Sequence, residues 1–201
     1  MSWIKTISPD QADGKLSAIY QRVCDNEGHV DNVLQVHSLR PHTLEAHMAV
    51  YKATIHHAAN GLPEWLLESI GVFVSRLNRC EYCDRHHSSG LKRLTGDEQR
   101  FEQLSSALDK PFPDEPFSKA EQVVLAYVRQ LTIAPSELKE TYIIGLREQG
   151  YSDGEILEIN QVAAYFAYVN RSVLGLGVDI NGEELGLSPS SNADMDDWQH
   201  Q

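Results

Sequence analysis

Two cysteines, a histidine and a glutamate carry the reactive groups of this sequence: Glu68, then Cys80, Cys83 and His87 within the run Cys80-Glu81-Tyr82-Cys83-Asp84-Arg85-His86-His87. On a helix starting near Asn78, the spacings of three and four residues put both sulfurs and the imidazole on one face. Glu68 precedes Cys80 by twelve residues. A straight helix would separate them by about 18 Å. A corner at Asn78 and Arg79 makes two antiparallel helices instead and brings Glu68 beside His87. Asn78 is the expected N-cap of the second helix, which gives the corner a local cause.

A thiol pair beside a base and a carboxylate suits peroxide reduction. One thiolate attacks a peroxide oxygen, a proton donor serves the departing oxygen, and the sulfenic acid condenses with the second thiol to a disulfide. A helix N-terminus and a neighbouring imidazolium both favour thiolate. Cys80 is nearer the helix terminus, whereas Cys83 is one turn from His87. The second relationship makes Cys83 the expected attacking sulfur and Cys80 the resolving one. Tyr82 either donates a hydrogen bond into the site or packs, and His86 is a supporting residue off the reactive face. One competing reading remains, a zinc-stabilised helical binding module with Cys80, Cys83 and His87 as ligands and His86 or Glu68 completing the shell. The redox reading needs no cofactor, only a hydroperoxide and an external thiol or dithiol reductant.

Composition narrows the partners. A formal charge of −12 and a pI near 5.1 leave no basic surface for nucleic acid. Neither a signal peptide nor a run near the roughly 18 apolar residues of a membrane span is present, so a cytoplasmic protein without a membrane partner is expected. Three cysteines, two of them close together, are not a secreted disulfide framework. Cys24 has no sequence partner and reads as a small, partly buried residue.

The elements that must position the site read as all-α. An amphipathic stretch over 10–25 carries Leu16, Ile19, Tyr20 and Val23 at helical spacing. Pro41 opens a helix expected to run to Asn60, with Gly61 as its cap, and Pro63 opens the next, which carries Trp65, Leu66, Ile70, Phe73, Val74 and Leu77. Pro111, Pro113 and Pro116 mark a linker near 110–117 between two helical halves. Beyond it three helices are expected: one capped by Ser118 with Glu121, one over 136–149, and one over 153–174 capped by Ser152 with Glu155. Pro41-x-x-Leu44 and Pro135-x-x-Leu138 echo one another faintly, as in a duplicated helical hairpin. Residues 1–180 read as one domain. Asp179, Glu183, Glu184, Asp194, Asp196 and Asp197, in a stretch with no Lys or Arg, make 181–201 an expected flexible, solvated tail.

The remaining aromatic and histidine residues have plainer readings. His56 and His57 suit a helix C-terminus as capping charges, and His37, His42 and His47 read as surface or core polar residues. Tyr165, Phe166 and Tyr168 read as core or subunit contact.

The pattern Glu-x11-Cys-x-x-Cys-x3-His, here Glu68, Cys80, Cys83 and His87, resembles the alkylhydroperoxidase D and carboxymuconolactone decarboxylase family, and within it the peroxidase-related enzymes. Residues 74–78, 82–87, 165–171 and 175–178 resemble that subgroup too, so the likeness reaches to about residue 180. It implies an all-helical AhpD-like fold and a homo-oligomer, whether dimer, trimer or hexamer. It also implies Cys83 as attacking sulfur, Cys80 as its partner, and Glu68 with His87 as a proton relay. The chain departs from the best-known peroxidases of the family in having Tyr82 where they have a histidine between the cysteines.

Overall fold

Nine α-helices and two 3₁₀ turns, with no strand among the described residues, make up the computed structural model, which describes residues 2–25 and 27–198. In chain order the helices are α1 (Gly14–Val23), α2 (Asn32–Gln35), α3 (Pro41–Ile55), α4 (Glu64–Leu77), α5 (Glu81–Thr95), α6 (Glu98–Leu108), α7 (Lys119–Ile133), α8 (Glu140–Glu148) and α9 (Asp153–Leu176). The fold is all-α, as the helix punctuation requires. Both capping boxes form, Ser118 with Glu121 at the start of α7 and Ser152 with Glu155 at the start of α9. The proline-rich stretch is the loop between α6 and α7.

Boundaries differ where side chains intervene. The helix expected to reach Asn60 stops at Ile55, because Asn60 Nδ2 donates to the Thr54 carbonyl and Glu158 accepts from the Gly61 N–H, fixing a turn instead of another helical turn. Pro135 opens a 3₁₀ turn rather than α8, so it does not match Pro41, which sits in the first turn of α3.

Helix α4 is the axis of the molecule and packs along α5, α7 and α9. Its ten buried residues run unbroken from Leu66 to Ser75, as expected of a helix covered on all sides. The approach to α9 is close enough that a Cβ on Gly71 would lie 2.2 Å from Phe166 Cζ. A second, smaller apolar cluster joins Leu16, Ile19, Tyr20 and Val23 of α1 with Leu44 and Met48 of α3, and Val33 and Tyr51 pack against both clusters. The seam between the two clusters is where the reactive residues lie.

Candidate active site

The corner between α4 and α5 is built by Arg79. Its φ of 56° is the left-handed conformation that glycine usually supplies beyond a helix end, and the Cys80 N–H returns to the Ser75 carbonyl at 2.8 Å. Such a backbone costs about 1 kcal/mol or more and persists only where the surroundings hold it. The expected corner is therefore present, but its parts are displaced. Asn78 caps the end of α4, not the start of α5, and Cys80 takes the N-cap position. Asn78 Nδ2 instead donates to Asn170 Oδ1 on α9 at 2.9 Å. Asn170 Nδ2 donates in turn to Ser75 Oγ at 3.1 Å, so the corner is pinned to α9.

With Cys80 at the N-cap and Cys83 at the third helical position, the two sulfurs meet across the first turn of α5. The Cys83 thiol donates to the Cys80 sulfur. That bond, with help from the backbone N–H groups of Cys83 and Tyr82, draws Cys80 below the ordinary thiol value against the opposing effect of burial. The same bond, reinforced by burial and by the charge on Cys80, holds Cys83 well above the usual thiol value, while the Asn170 amide acts in the opposite sense. Resting thiolate character therefore lies on Cys80, at the helix N-terminus. Both cysteines are buried.

Across the hairpin, His87 Nδ1 donates to Glu68 Oε2 at 2.7 Å, and the Glu68 side chain is 3% exposed. A second polar chain stands behind this pair. His56 is buried at the end of α3, bonded through Nδ1 to Glu64 Oε1 at 2.8 Å and through Nε2 to the Tyr51 hydroxyl at 3.0 Å, with Nε2 also 4.0 Å from Glu68 Oε1. His56 is the C-cap residue of α3, at the helix end expected of it. Its ring is enclosed between α3 and α4 and fully bonded, so it orders the carboxylates rather than meeting solvent.

A cavity of about 70 Å³ opens on Cys83, Glu68 and His87, walled by Tyr51, Tyr82, Tyr165 and Trp198 and by the backbone run Gly186-Leu187-Ser188-Pro189. The C-terminal segment therefore walls the site. Its acidic residues find partners. Glu183 accepts from the Tyr82 hydroxyl at 2.8 Å and lies 3.2 Å from His86 Nε2. Arg93 holds the Gly186 carbonyl and Ser188 Oγ, and the buried Lys52 holds the carbonyls of Ser190 and Asp197. Asn192 exchanges backbone bonds with His56 and Ala58, and Trp198 is buried in the smaller cluster. The last part of the expected tail, 199–201, lies outside the described residues.

Of the residues singled out in the sequence, Cys80, Cys83, His87 and Glu68 are brought together. Tyr82 and His86 stack on one another at 4.6 Å and share Glu183, so His86 lines the cavity and serves the closing segment rather than lying apart. Tyr165 lines the cavity while Tyr168 is exposed. Among the described residues, no three of His, Cys, Asp and Glu are arranged to hold a metal ion. The ligands expected of a zinc module are not gathered as a metal-holding group among the described residues, and His87 Nδ1 is bonded to Glu68. Asn170 was missed by sequence reasoning. It sits four residues after Phe166 on the buried face of α9, and a polar residue at a core position was the available signal.

No family model and no curated protein matches the chain. Solved structures do. An uncharacterized peroxidase-related protein from Silicibacter sp. TM1040 superposes with a TM-score of 0.73 at 26% identity, over 90% of this chain and 96% of that one. The alkylhydroperoxidase AhpD core of an uncharacterized peroxidase-related protein from Ralstonia eutropha JMP134 gives 0.77 at 23% identity, over 90% and 93%. The chain has the AhpD-like fold. The AhpD-like fold also serves other chemistry: the debrominase Bmp8, solved as a cysteine-to-alanine variant in complex with 2,3,4-tribromopyrrole, matches with a TM-score of 0.67 at 18% identity, over 90% of this chain and 95% of that one. No helix of this AhpD-like chain, among the described residues, is long and apolar enough to cross a membrane.

Proposed function

We propose that the chain is a two-cysteine thiol peroxidase that reduces hydroperoxides and is recycled by an external thiol or dithiol. The observation that carries this reading is that Cys83, in the same first turn of α5 that Cys80 caps, opens on the same cavity as Glu68 and His87. Cys83 is the attacking sulfur because it faces the cavity and Cys80 does not. Cys80 activates it by taking its proton along the bond they share. The Cys83 thiolate then forms a bond to one peroxide oxygen, the O–O bond breaks with its electron pair on the leaving oxygen, and the leaving alkoxide takes up a proton. Glu68 holds Nδ1 of His87, so the imidazole exchanges protons with the cavity through Nε2. The Cys83 sulfenic acid and the Cys80 thiol condense to a disulfide with loss of water. In sum two thiols and one hydroperoxide give a disulfide, an alcohol and water.

The experiment is a thiol count on the reduced protein after an organic hydroperoxide is added. Two thiols are consumed, a Cys80–Cys83 disulfide appears by mass spectrometry, and Cys83→Ser abolishes turnover. An unchanged thiol count under excess peroxide overturns the proposal.

A second reading is favoured by the aromatic walls of the cavity. A halogenated aromatic ring stacked between them would lose halogen to the Cys83 sulfur and gain a proton at carbon. Cys80 would then displace halide to give the same disulfide. Bromide release from a brominated pyrrole, with two thiols lost per bromide, separates this reaction from peroxide reduction.

A further inference from the structure

In any peroxide reduction the negative charge that develops in the transition state lies on the departing oxygen, and a donor aimed there is worth more than one aimed at the resting substrate. The cavity holds several polar side chains besides Cys83, Glu68 and His87, and nearly all are already engaged. The Tyr82 hydroxyl accepts from the Val33 N–H at 3.2 Å and donates to Glu183. The Tyr51 hydroxyl is bonded to His56, and His86 Nε2 faces Glu183. His47 is held neutral, its pKa pushed down to about 3 by burial and then by His37, and its unpartnered Nδ1 is fully buried, so that atom does not reach the cavity.

Tyr165 is the exception. It is 5% exposed, it lines the cavity with Cys83, and its hydroxyl has no hydrogen-bond partner among the described residues. Its oxygen is not among the fully buried polar atoms that lack a partner, so the hydroxyl reaches open space and is available to a ligand. Its ring cannot easily swing away, being wedged against Tyr51 at 5.6 Å, Phe166 at 5.4 Å and His47 at 5.8 Å. The same helix brings Asn170 to the Cys83 sulfur five residues later, so α9 supplies one group to each end of the reacting atoms. Burial first, and then the charges of Tyr51 and Cys83, keep the phenol well above its ordinary value, so it stays a donor at neutral pH.

We infer that Tyr165 is a catalytic residue that donates its hydroxyl hydrogen bond to the leaving oxygen of the substrate as the O–O bond breaks. It forms no covalent bond and takes no net proton: sulfur attacks one oxygen, the electron pair goes to the other, and the phenol stabilises that charge until the oxygen is protonated. This inference rests on the peroxidase reading and adds to it a role that Tyr82 cannot fill, its hydroxyl being committed to Glu183.

The test compares leaving groups. An alkyl hydroperoxide expels an alkoxide, which needs the donor, whereas peracetic acid expels acetate, which hardly does. Single-turnover thiol consumption by Tyr165→Phe, relative to wild type and to the exposed control Tyr168→Phe, is measured with tert-butyl hydroperoxide and with peracetic acid. Removal of one such donor is expected to slow the alkyl hydroperoxide reaction by about 100-fold and the peracid reaction far less, with Tyr168→Phe near wild type in both. Equal loss with both oxidants means a packing defect and overturns the inference, as does a wild-type rate with the alkyl hydroperoxide. If wild-type protein consumes thiols with neither oxidant, the peroxidase reading itself fails, and this inference with it.

Discussion

His87 Nδ1 donates to Glu68 Oε2 at 2.7 Å across a helical hairpin whose corner is a left-handed arginine. The two residues are nineteen apart in sequence and come together only because Arg79 turns the chain. Glu68 is 2% exposed, and a buried carboxylate persists where it is paired. Its placement thus marks it as half of a unit.

The first prediction follows from that unit. Glu68→Gln keeps the shape but removes the charge that supports an imidazolium at His87. Disulfide formation under limiting hydroperoxide is expected to slow by about 100-fold or more, and His87→Gln to do the same. Because the pair acts together, the double variant should be no slower than the worse single one. Quenched thiol counts on the three variants check this, and multiplicative losses would show that the residues act separately.

The hairpin and its four reactive groups were legible because spacing alone places Cys80, Cys83 and His87, and because a corner was the one way to reach Glu68. The cap was not. Asn78 is a favourable N-cap by type, yet its amide bonds to Asn170 instead, a contact 92 residues away that no local pattern announces. The contacts of the C-terminal segment were not legible for a similar reason. Its charge suggested solvent, but Glu183 is matched by Tyr82 and His86, and Lys52 is used on backbone carbonyls. Complementarity between distant segments has no periodicity to read. Asn170 and His56 were hidden likewise, since a polar residue reveals its role only when its partners are known.

Glu183 fastens the closing segment, and the second prediction concerns that clasp. Its carboxylate serves the Tyr82 hydroxyl, His86 and the Asn32 N–H at once. Charge-assisted bonds of this kind contribute about 1.5–3 kcal/mol each, so Glu183→Ala should raise the open fraction of the segment by roughly 10-fold or more. Labelling of Cys83 by a bulky maleimide reads the opening directly. Tyr82→Phe, which loses one bond of the clasp, should give a smaller increase. Equal labelling of all three proteins would mean that the segment does not control access.

The third prediction is a pH dependence of stability, and its sign follows from His47. Burial holds this imidazole far below its ordinary value, at about 3 against 6.5, with His37 stacked on it at 4.9 Å and Tyr165 and Tyr168 beside it. Its Nδ1 is buried without a partner. Above pH 6.5 the imidazole is neutral in the folded and the unfolded chain, so His47 adds no pH dependence there. As the pH falls below 6.5, the unfolded chain binds a proton that the folded chain refuses, and stability declines by about 1.4 kcal/mol per pH unit until the folded value is reached. At about pH 5 the loss from this residue is about 2 kcal/mol. His47→Phe keeps an aromatic ring against Tyr165 but cannot titrate. Urea unfolding at about pH 7.5 and about pH 5 should therefore show the wild type losing about 2 kcal/mol more than the variant over that interval. His37, whose value is also lowered by burial, contributes in the same direction in both proteins and cancels in the comparison to the extent that its surroundings are unchanged. A variant that loses as much stability as the wild type would place a proton on His47 in the folded state, and with it a charge beside Tyr165.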